Sequence, residues 1–182
     1  MAGRGCGCLW TGATSVGVTM TTRTARCACG RVEVTVEGEP LMVYVCHCEF
    51  CQRRSGNVFI ASAQFAEEQV ISITGETGRY NGLEVDGVGA VATPGGINYH
   101  FCSVCGSSMY HENVFPKTGK RVFAVSLGAF TDDVFPPPTA EYFTKHRHHW
   151  VPAVPDAIQL RDPLGADAKR ALGLADGTGQ AD

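Results

Sequence analysis

Hydrophobic and polar residues alternate strictly over a short stretch near the start of the chain. Val32, Val34 and Val36 are separated by polar residues, and a period of two places them on one face of a strand. Residues 37–40 are typical of a turn, and we interpret the apolar run 41–45 as the returning strand. The pattern therefore predicts a half-buried pair of strands.

Further short segments are rich in β-branched or aromatic residues and bounded by Gly, Pro, Asn or Asp. These predicted strands are 58–64, 70–74, 97–101, 121–127 and 140–144. Helical periodicity is confined to a turn or two at 66–69 and to a candidate helix at 167–174. We predict a glycine-rich loop at 81–96 and a stiff proline-rich connector at 135–138. The chain is therefore predicted to be mainly β, with short antiparallel strands and little helix.

Length and composition are those of one globular domain with tails. The chain has 182 residues, of which 44% are hydrophobic and 18% charged, enough for one hydrophobic core. We expect residues 1–22 to be a disordered extension or to precede the true start, since Met20 offers an alternative first residue. The folded domain is predicted at 23–160, and the Ala-, Gly- and Asp-rich residues 161–182 are predicted to form a flexible tail.

The charge balance argues against nucleic acid and anionic membranes as partners. Fifteen Lys and Arg face 18 Asp and Glu, for a net charge of −3, so long-range attraction to a polyanion is absent. No stretch approaches the roughly 20 apolar residues that a bilayer crossing needs. The start of the chain lacks the apolar block of a secretory signal, and we expect a cytoplasmic protein.

Cysteines form three tight clusters. Seven of the nine cysteines of the chain belong to them: Cys27 and Cys29; Cys46, Cys48 and Cys51; Cys102 and Cys105. Thiolates are soft ligands that suit zinc, and cysteines one or two residues apart on a tight turn can reach one ion. Gly30 and Gly106 follow the first and last clusters, where a residue without Cβ allows unusual backbone torsions. Such spacing in an intracellular chain favours metal over disulfides.

The simplest division of seven thiolates is four plus three. A closed structural zinc site takes four ligands, whereas a catalytic site commonly keeps three protein ligands and an open position. The set of four is Cys27, Cys29, Cys102 and Cys105, and the set of three is Cys46, Cys48 and Cys51. Two zinc ions per chain are therefore predicted. Cys6 and Cys8 form another pair that lacks a partner pair, and we interpret them as incidental.

A histidine could instead close the second site. His47 lies between two predicted ligands, where its side chain should point away from the ion, which makes it a poor fourth ligand. The other candidates in the sequence are His100, His111, His146, His148 and His149. We favour the open site and keep the closed one as the alternative.

The cysteine motifs resemble those of a known family. The motifs are CACG at 27–30, CHCEFCQRRSG at 46–56 and FCSVCG at 101–106. In order, spacing and flanking residues they resemble the glutathione-dependent formaldehyde-activating enzyme family, which includes centromere protein V. The resemblance extends over residues 26–160. It implies a zinc-bearing Mss4-like β fold, the same four-plus-three division of ligands, and a carbon–sulfur lyase that condenses formaldehyde with glutathione.

Glutathione carries two carboxylates, so cations beside the three-cysteine motif are candidate substrate contacts. Arg53 and Arg54 could supply a forked contact to a carboxylate, and Ser55 with Gly56 could present backbone N–H groups to an anion. A solvated basic pair and a simple turn are the alternatives. His47 is a candidate proton shuttle.

Two other functions remain open at this point. One is a non-catalytic zinc module that binds a macromolecule, as the centromere member of the family suggests. The other is a thiol redox enzyme on a related scaffold, which requires a reactive cysteine beyond the metal ligands. Only Cys6 and Cys8 are spare, so we rank the redox enzyme last. The oligomeric state is not predicted.

Overall fold

The structure is a computed structural model that describes residues 21–85, 96–114, 118–131 and 135–162. The candidate helix at 167–174, the Cys6–Cys8 pair and the middle of the predicted loop at 81–96 lie outside the described residues. So do nearly all of the predicted extension and tail. At the inner edges of those two segments, Thr22 begins the first strand and Lys145 donates its N–H to the carbonyl of Arg161 over 3.4 Å.

Within the described residues the chain is mainly β, as predicted. The strands are β1 (Thr22–Arg26), β2 (Glu33–Glu37), β3 (Met42–Cys46), β4 (Ile60–Ala66), β5 (Val70–Thr74), β6 (Thr77–Asn81), β7 (Asn98–Cys102), β8 (Ser108–Val114), β9 (Arg121–Ser126), β10 (Ala140–Tyr142) and β11 (Ile158–Leu160). The helices are α1 (Glu49–Ser55) and α2 (Gly82–Val85), with 3₁₀ turns at Glu67–Gln69, Leu127–Ala129 and Thr144–His146. None of the helices in these residues is long and apolar enough to cross a membrane.

The strands form two sheets. The smaller sheet has the order β1-β2-β5, and the larger has the order β11-β10-β3-β4-β9-β8-β7-β6. Pairing is antiparallel throughout, as predicted, except at β10, which runs parallel to both β3 and β11. This parallel strand comes late in the chain and inserts beside the strand that ends at Cys46.

The connection between β2 and β3 differs from the prediction. Residues 41–45 do not return against β2, because β2 pairs with β1 and β5 whereas β3 pairs with β10 and β4. Gly38, at φ 79°, helps turn the chain after β2. β2 and β3 belong to different sheets because the valines of both strands need burial. Strands in two facing sheets can bury such valines against each other.

The core lies between the two sheets. Val34 and Val36 of β2 have no exposed surface, nor do Ala63 and Phe65 of β4 or Val125 of β9. All five belong to one cluster of buried residues. The alternation of apolar residues seen in the sequence therefore marks the faces that the two sheets turn toward each other.

The opposite face of the larger sheet is polar and aromatic. The strand registers pair Tyr44 with Ser62, His111 with Tyr99, and Tyr99 with Tyr80. Helix α1 packs near this face, where the ring of Phe50 lies 5.3 Å from that of Tyr99. Side chains able to form hydrogen bonds thus line the surface beside the three-cysteine motif.

Helix α1 was not predicted, because two helical turns are too short to display a 3.6-residue period. Its ends nevertheless carry recognisable signals. The side chain of Cys48 caps the helix by accepting a hydrogen bond from the N–H of Cys51, Glu49 lies in the first turn, and Gly56 ends it in the left-handed conformation. An acid at the start and a left-handed glycine at the end are both typical of helix termini.

Each of the seven predicted strands has a counterpart within two residues of its bounds, and the predicted turn at 66–69 is the 3₁₀ turn Glu67–Gln69. Strands β1, β6, β8 and β11 were not predicted. Polar residues dominate β1 and β8, whose sequences are TRTAR and SMYHENV. β6 contains Gly78, where an added Cβ would overlap the ring of Phe101. These strands form because neighbours pair with them, not because their own composition favours extension.

Candidate metal centres and the adjoining cleft

Four of the predicted ligands meet at one point between the sheets. The sulfurs of this four-cysteine centre all lie within 4.8 Å of one another: Cys27, Cys29, Cys102 and Cys105. Cys27 follows β1 of the smaller sheet and Cys102 ends β7 of the larger. Both are buried, whereas Cys29 and Cys105 are exposed. This group could hold a metal ion that joins the two sheets.

Two similar turns present these sulfurs. Gly30 donates its N–H to the carbonyl of Cys27 over 2.9 Å, and Gly106 donates to the carbonyl of Cys102 over 2.8 Å. Both glycines have left-handed torsions, with φ of 72° and 74°. Their lack of a Cβ makes these torsions accessible, as the sequence predicted. The turns also touch directly, because the N–H of Ala28 donates to Ser107 Oγ over 3.1 Å.

The other three predicted ligands form a second group, the three-cysteine centre. The sulfurs of Cys46, Cys48 and Cys51 also lie within 4.8 Å of one another. Cys46 ends β3, Cys48 caps α1, and Cys51 lies within α1. The strand-to-helix junction therefore brings the three thiols together, with Cys48 partly exposed and the other two buried.

The donor set of the three-cysteine centre suits a cation. Hydrogen bonds with Cys48 and Cys51, and then burial, raise the pKa of the Cys46 thiol. Hydrogen bonds from Cys46 and Cys51 lower the pKa of Cys48 to about 3. The chain alone thus stabilises one thiolate among two thiols, and deprotonating all three requires a positive charge among them. A soft divalent metal supplies that charge and accepts thiolate ligands.

Histidine does not join the three-cysteine centre. Among the described residues, which include all six histidines, no further His, Cys, Asp or Glu belongs to this group. The ring of His47 is fully buried, and its Nε2 lies 3.1 Å from Oε1 of Glu141. His47 thus points away from the three sulfurs and toward β10, in the direction expected of a residue between two ligands.

A cleft adjoins the three-cysteine centre through Arg54, which interacts with Cys51. It has a volume of about 230 Å³, and its lining includes Arg54, Tyr80, Tyr99, Gly106 and Ser108. The rings of Tyr80 and Tyr99 stack at a centroid distance of 5.3 Å. The guanidinium carbon of Arg54 lies 4.6 Å from the centroid of Tyr99. The cleft thus combines one cation with an aromatic wall.

Arg54 is held next to the thiols. Burial alone would lower its pKa, but electrostatic interactions with Cys51 and Tyr99 and a hydrogen bond with Cys51 raise it, so the guanidinium stays charged. Its Nε atom is buried and has no hydrogen-bond partner within the described residues. An unused donor of this kind favours an anionic or carbonyl ligand in the cleft.

The other two predicted substrate contacts have different surroundings. Arg53 is 60% exposed, and its Nη1 lies 3.6 Å from Oε2 of Glu49 one helical turn earlier. Ser55 Oγ donates to the carbonyl of Cys51 over 2.7 Å and accepts from the N–H of Asn57. Arg54 alone of the three predicted contacts is among the residues that line the cleft.

A second polar pair lies beneath the cleft. Tyr44 Oη is 3.1 Å from His111 Nε2, and the ring of His111 lies 5.3 Å from that of Tyr99. Burial and the charge of Arg54 lower the pKa of His111 to about 3, and burial together with electrostatic interactions with Cys46 and Cys51 raises that of Tyr44. Both side chains are therefore neutral at pH 7, and they share one hydrogen bond whose donor depends on the tautomer of the imidazole.

No pattern in the sequence indicates the residues that surround the cysteines. Tyr80, Tyr99 and Glu141 lie in short strands far along the chain from the three-cysteine motif, and no spacing links them to it. Parallel pairing of β10 with β3 and the strand order β8-β7-β6 bring them close. An isolated acid in an apolar strand, as Glu141 is in the AEY of β10, was the available signal.

A known protein family matches most of the chain. The sequence model of the glutathione-dependent formaldehyde-activating enzyme family matches residues 22–146. This range covers more than half of the chain and includes all seven clustered cysteines. No curated protein matches the chain.

Proposed function

Because the chain belongs to the glutathione-dependent formaldehyde-activating enzyme family, we propose that it is a zinc-dependent carbon–sulfur lyase. It joins a thiol such as glutathione to a small aldehyde. The observation that carries this proposal is the three-cysteine centre, where three thiols converge and no fourth His, Cys, Asp or Glu ligand joins them within the described residues. Three protein ligands with a vacant position are typical of catalytic zinc.

Two zinc ions would have different tasks. The four-cysteine centre has a full tetrahedral ligand set and would serve structure. Cys46, Cys48 and Cys51 would hold the second ion, which when bound would lower the pKa of an incoming thiol or polarise a carbonyl. The clustered thiols must stay reduced to act as ligands, which supports the cytoplasm as the place of work.

The reaction balances without an oxidant or a reductant. In the addition, the thiol sulfur forms a bond to the aldehyde carbon while the C=O π pair moves to oxygen. The thiol loses one proton and the oxygen gains one, which gives an S-hydroxyalkyl product; the reverse reaction breaks the same C–S bond. The protein must therefore orient a thiolate and supply a proton to the new alkoxide.

Arg54 is the residue that we place against the thiol substrate. Its guanidinium is charged, interacts with Cys51 and belongs to a residue that lines the cleft, so a substrate carboxylate in the cleft can pair with it. The cleft of about 230 Å³ is smaller than the roughly 300–1,000 Å³ that encloses a whole drug-sized ligand. One limb of a tripeptide would occupy it while the rest stays in solvent. Arg53 and Ser55 stay predicted contacts.

The test is exchange between free and thiol-bound formaldehyde, followed by NMR with ¹³C-labelled formaldehyde and glutathione. The full-length, zinc-loaded chain should increase the exchange rate above the uncatalysed rate. Cys48→Ser should remove most of that increase, because it removes one ligand of the three-cysteine centre. Cys8→Ser, at a cysteine interpreted as incidental, is the matched control and should leave the rate unchanged.

The proposal would be abandoned if the wild-type protein, with two zinc ions bound, accelerated no exchange with glutathione, cysteine or other small thiols. Equal activity of Cys48→Ser and the wild type would place the chemistry outside the three-cysteine centre.

A further inference from the structure

Glu141 is a buried carboxylate with an unusually complete set of donors. Its side chain is 1% exposed. Oε1 faces His47 Nε2 at 3.1 Å, and Oε2 accepts hydrogen bonds from Gln159 Nε2 at 2.6 Å, Arg147 Nη1 at 3.0 Å and the N–H of Val154 at 3.1 Å. Burying an ion is costly unless such donors replace its water. This concentration of donors indicates that the charge at this place is maintained.

The ionised carboxylate of Glu141 determines which ring nitrogen of His47 donates a hydrogen bond to it. Burial alone would raise the pKa of this carboxyl, but hydrogen bonds from Gln159, His47 and Val154, and the charge of Arg147, lower it. A carboxylate can only accept, so His47 Nε2 carries the proton that it shares with Oε1. The other ring nitrogen of His47 is buried and has no hydrogen-bond partner within the described residues.

His47 is anchored at its backbone as well as its ring. Its N–H donates to the carbonyl of Tyr142 over 2.9 Å. Its carbonyl accepts from Gln52 Nε2 over 2.7 Å, and the same Nε2 donates to the carbonyl of His146. His47 is thus tied to β10 through its N–H and its ring, and to α1 through its carbonyl.

We propose that Glu141, acting through His47, is a positioning residue of the three-cysteine metal centre. His47 separates Cys46 from Cys48, so its three anchors set the direction in which the two sulfurs point. Outer partners of this kind orient the ligands of a metal and hold them ready for it. The ring of His47 has no exposed surface, and it therefore positions the ligands instead of shuttling protons to a substrate.

The hydrogen bonds to Glu141 connect the three-cysteine centre with residues beyond the range that the family model matches. Arg147, Val154 and Gln159 follow residue 146, where the match ends, yet all three donate to Glu141. The segment that leads to β11 therefore completes the surroundings of ligands located about a hundred residues earlier. This inference goes beyond the proposed activity, since it requires a metal at the three cysteines but no particular substrate.

The test compares Glu141→Gln with Glu112→Gln in the full-length protein. Glu112 is the matched control, because it lies in the same sheet, is 16% exposed and bonds Arg121 over 2.9 Å, but belongs to neither cysteine group. Zinc-loaded proteins are titrated with a chelator. Native mass spectrometry counts the zinc ions, and alkylation mapped by peptide mass spectrometry shows which cysteines have been released.

We expect Glu141→Gln to weaken zinc binding at the three-cysteine centre by about 10- to 100-fold. Cys46, Cys48 and Cys51 should then be alkylated at chelator concentrations that leave the other four cysteines protected. Glu112→Gln should show the wild-type pattern. Cobalt substitution gives a second readout, since the ligand-field bands of the three-cysteine centre should shift and those of the four-cysteine centre should not.

A wild-type pattern in Glu141→Gln, or equal release of both cysteine groups, would overturn the inference. If that variant fails to fold, Arg147→Gln replaces it, because this partly exposed side chain bonds Oε2 of Glu141 and Oε1 of Gln159 but not Oε1 of Glu141, which faces His47. A smaller but equally selective loss of zinc is expected, and no loss or equal loss contradicts the proposal. A wild type that binds no zinc at the three-cysteine centre would remove both proposals. Selective loss of zinc from the three-cysteine centre in Glu141→Gln, together with a wild type that has no lyase activity, would contradict only the proposed function.

Discussion

The guanidinium of Arg54 makes contacts that its neighbour Arg53 lacks. Arg54 lies against the ring of Tyr99 and beside Cys51, whereas Arg53 is exposed and paired with Glu49. One position along a helix turns a side chain by about 100°, so adjacent arginines face different surroundings. A pair that looks equivalent in the sequence thus divides into one residue at the cleft and one in solvent.

This difference predicts a charge preference among thiols. In Arg54→Gln, KM for 3-mercaptopropionate should rise by about tenfold or more, because a hydrogen bond to a charged group contributes about 1.5–3 kcal/mol. KM for the uncharged 2-mercaptoethanol should change by less than about threefold, because this thiol has no carboxylate to pair with Arg54. Steady-state kinetics with both thiols measures the two effects.

Arg121→Gln is the control for the loss of a positive charge, since Arg121 pairs with Glu112 and Glu67 and does not line the cleft. Equal increases in KM for both thiols would mean that Arg54 supports the metal centre and does not select the substrate.

The sequence predicts residues of the candidate site where these residues lie close together along the chain. Cysteine spacing alone divides the seven ligands into four and three, and the structure brings the same two sets together. Glu141 and Tyr99 could not be found in this way. Their proximity to the motif depends on strand pairings that join distant parts of the chain, and no single-sequence pattern encodes such pairings.

At the scale of elements, the turn between β5 and β6 packs closely against the backbone that follows the first cysteine turn of the four-cysteine centre. Gly75 has a φ of 84°, and a Cβ added there would overlap the backbone carbonyl oxygen of Arg31. Arg31 follows the first cysteine turn directly. The close approach of these two backbones is possible only without a side chain, so Gly75 helps to place the turn that carries Cys29.

We predict that Gly75→Ala destabilises the protein more than Gly119→Ala. Both glycines have positive φ, 84° and 65°, but an added Cβ at Gly119 meets nothing within 4 Å. Both variants should lose about 1–2 kcal/mol from the left-handed backbone. Gly75→Ala should lose about 1–3 kcal/mol more from overlap. Chemical denaturation of the zinc-loaded variants measures the difference, and equal values would contradict the close approach.

Strands were predictable where their own residues favour extended backbone. β2 and β5 follow from β-branched residues in short runs, whereas β6 and β8 are polar strands that only pairing explains. The crossing from β2 to β3 was predicted as a simple return, because alternation shows which face of a strand is buried but not which sheet it joins.

At the scale of the whole molecule, the four-cysteine centre joins the two sheets at their edges. Two of its ligands follow β1 and two belong to the turn between β7 and β8. The hydrophobic core between the sheets also joins them. Zinc at this centre should therefore contribute to global stability, whereas zinc at the three-cysteine centre should contribute mainly to activity.

Cys105→Ser tests this assignment. A hundredfold loss of zinc affinity at the four-cysteine centre removes about 2.7 kcal/mol of stability when free zinc is well above the dissociation constant. Val104→Ala, one residue earlier on the same turn at a 61% exposed position, should change stability by less than about 0.5 kcal/mol. Calorimetry with and without excess chelator measures both, and a chelator-insensitive wild type would contradict a structural zinc.

The parallel strand β10 has a consequence for the order in which the protein is assembled. During synthesis the three cysteines appear first, and Glu141 follows His47 by 94 residues. Contacts between such distant residues form slowly, because closing a long loop costs entropy before any contact repays it. A nascent chain therefore presents the thiols of Cys46, Cys48 and Cys51 well before their outer partners exist, and a metal ion that arrives early meets flexible ligands. The positioning of these thiols that we propose for Glu141 is therefore complete only when almost the whole domain has been made.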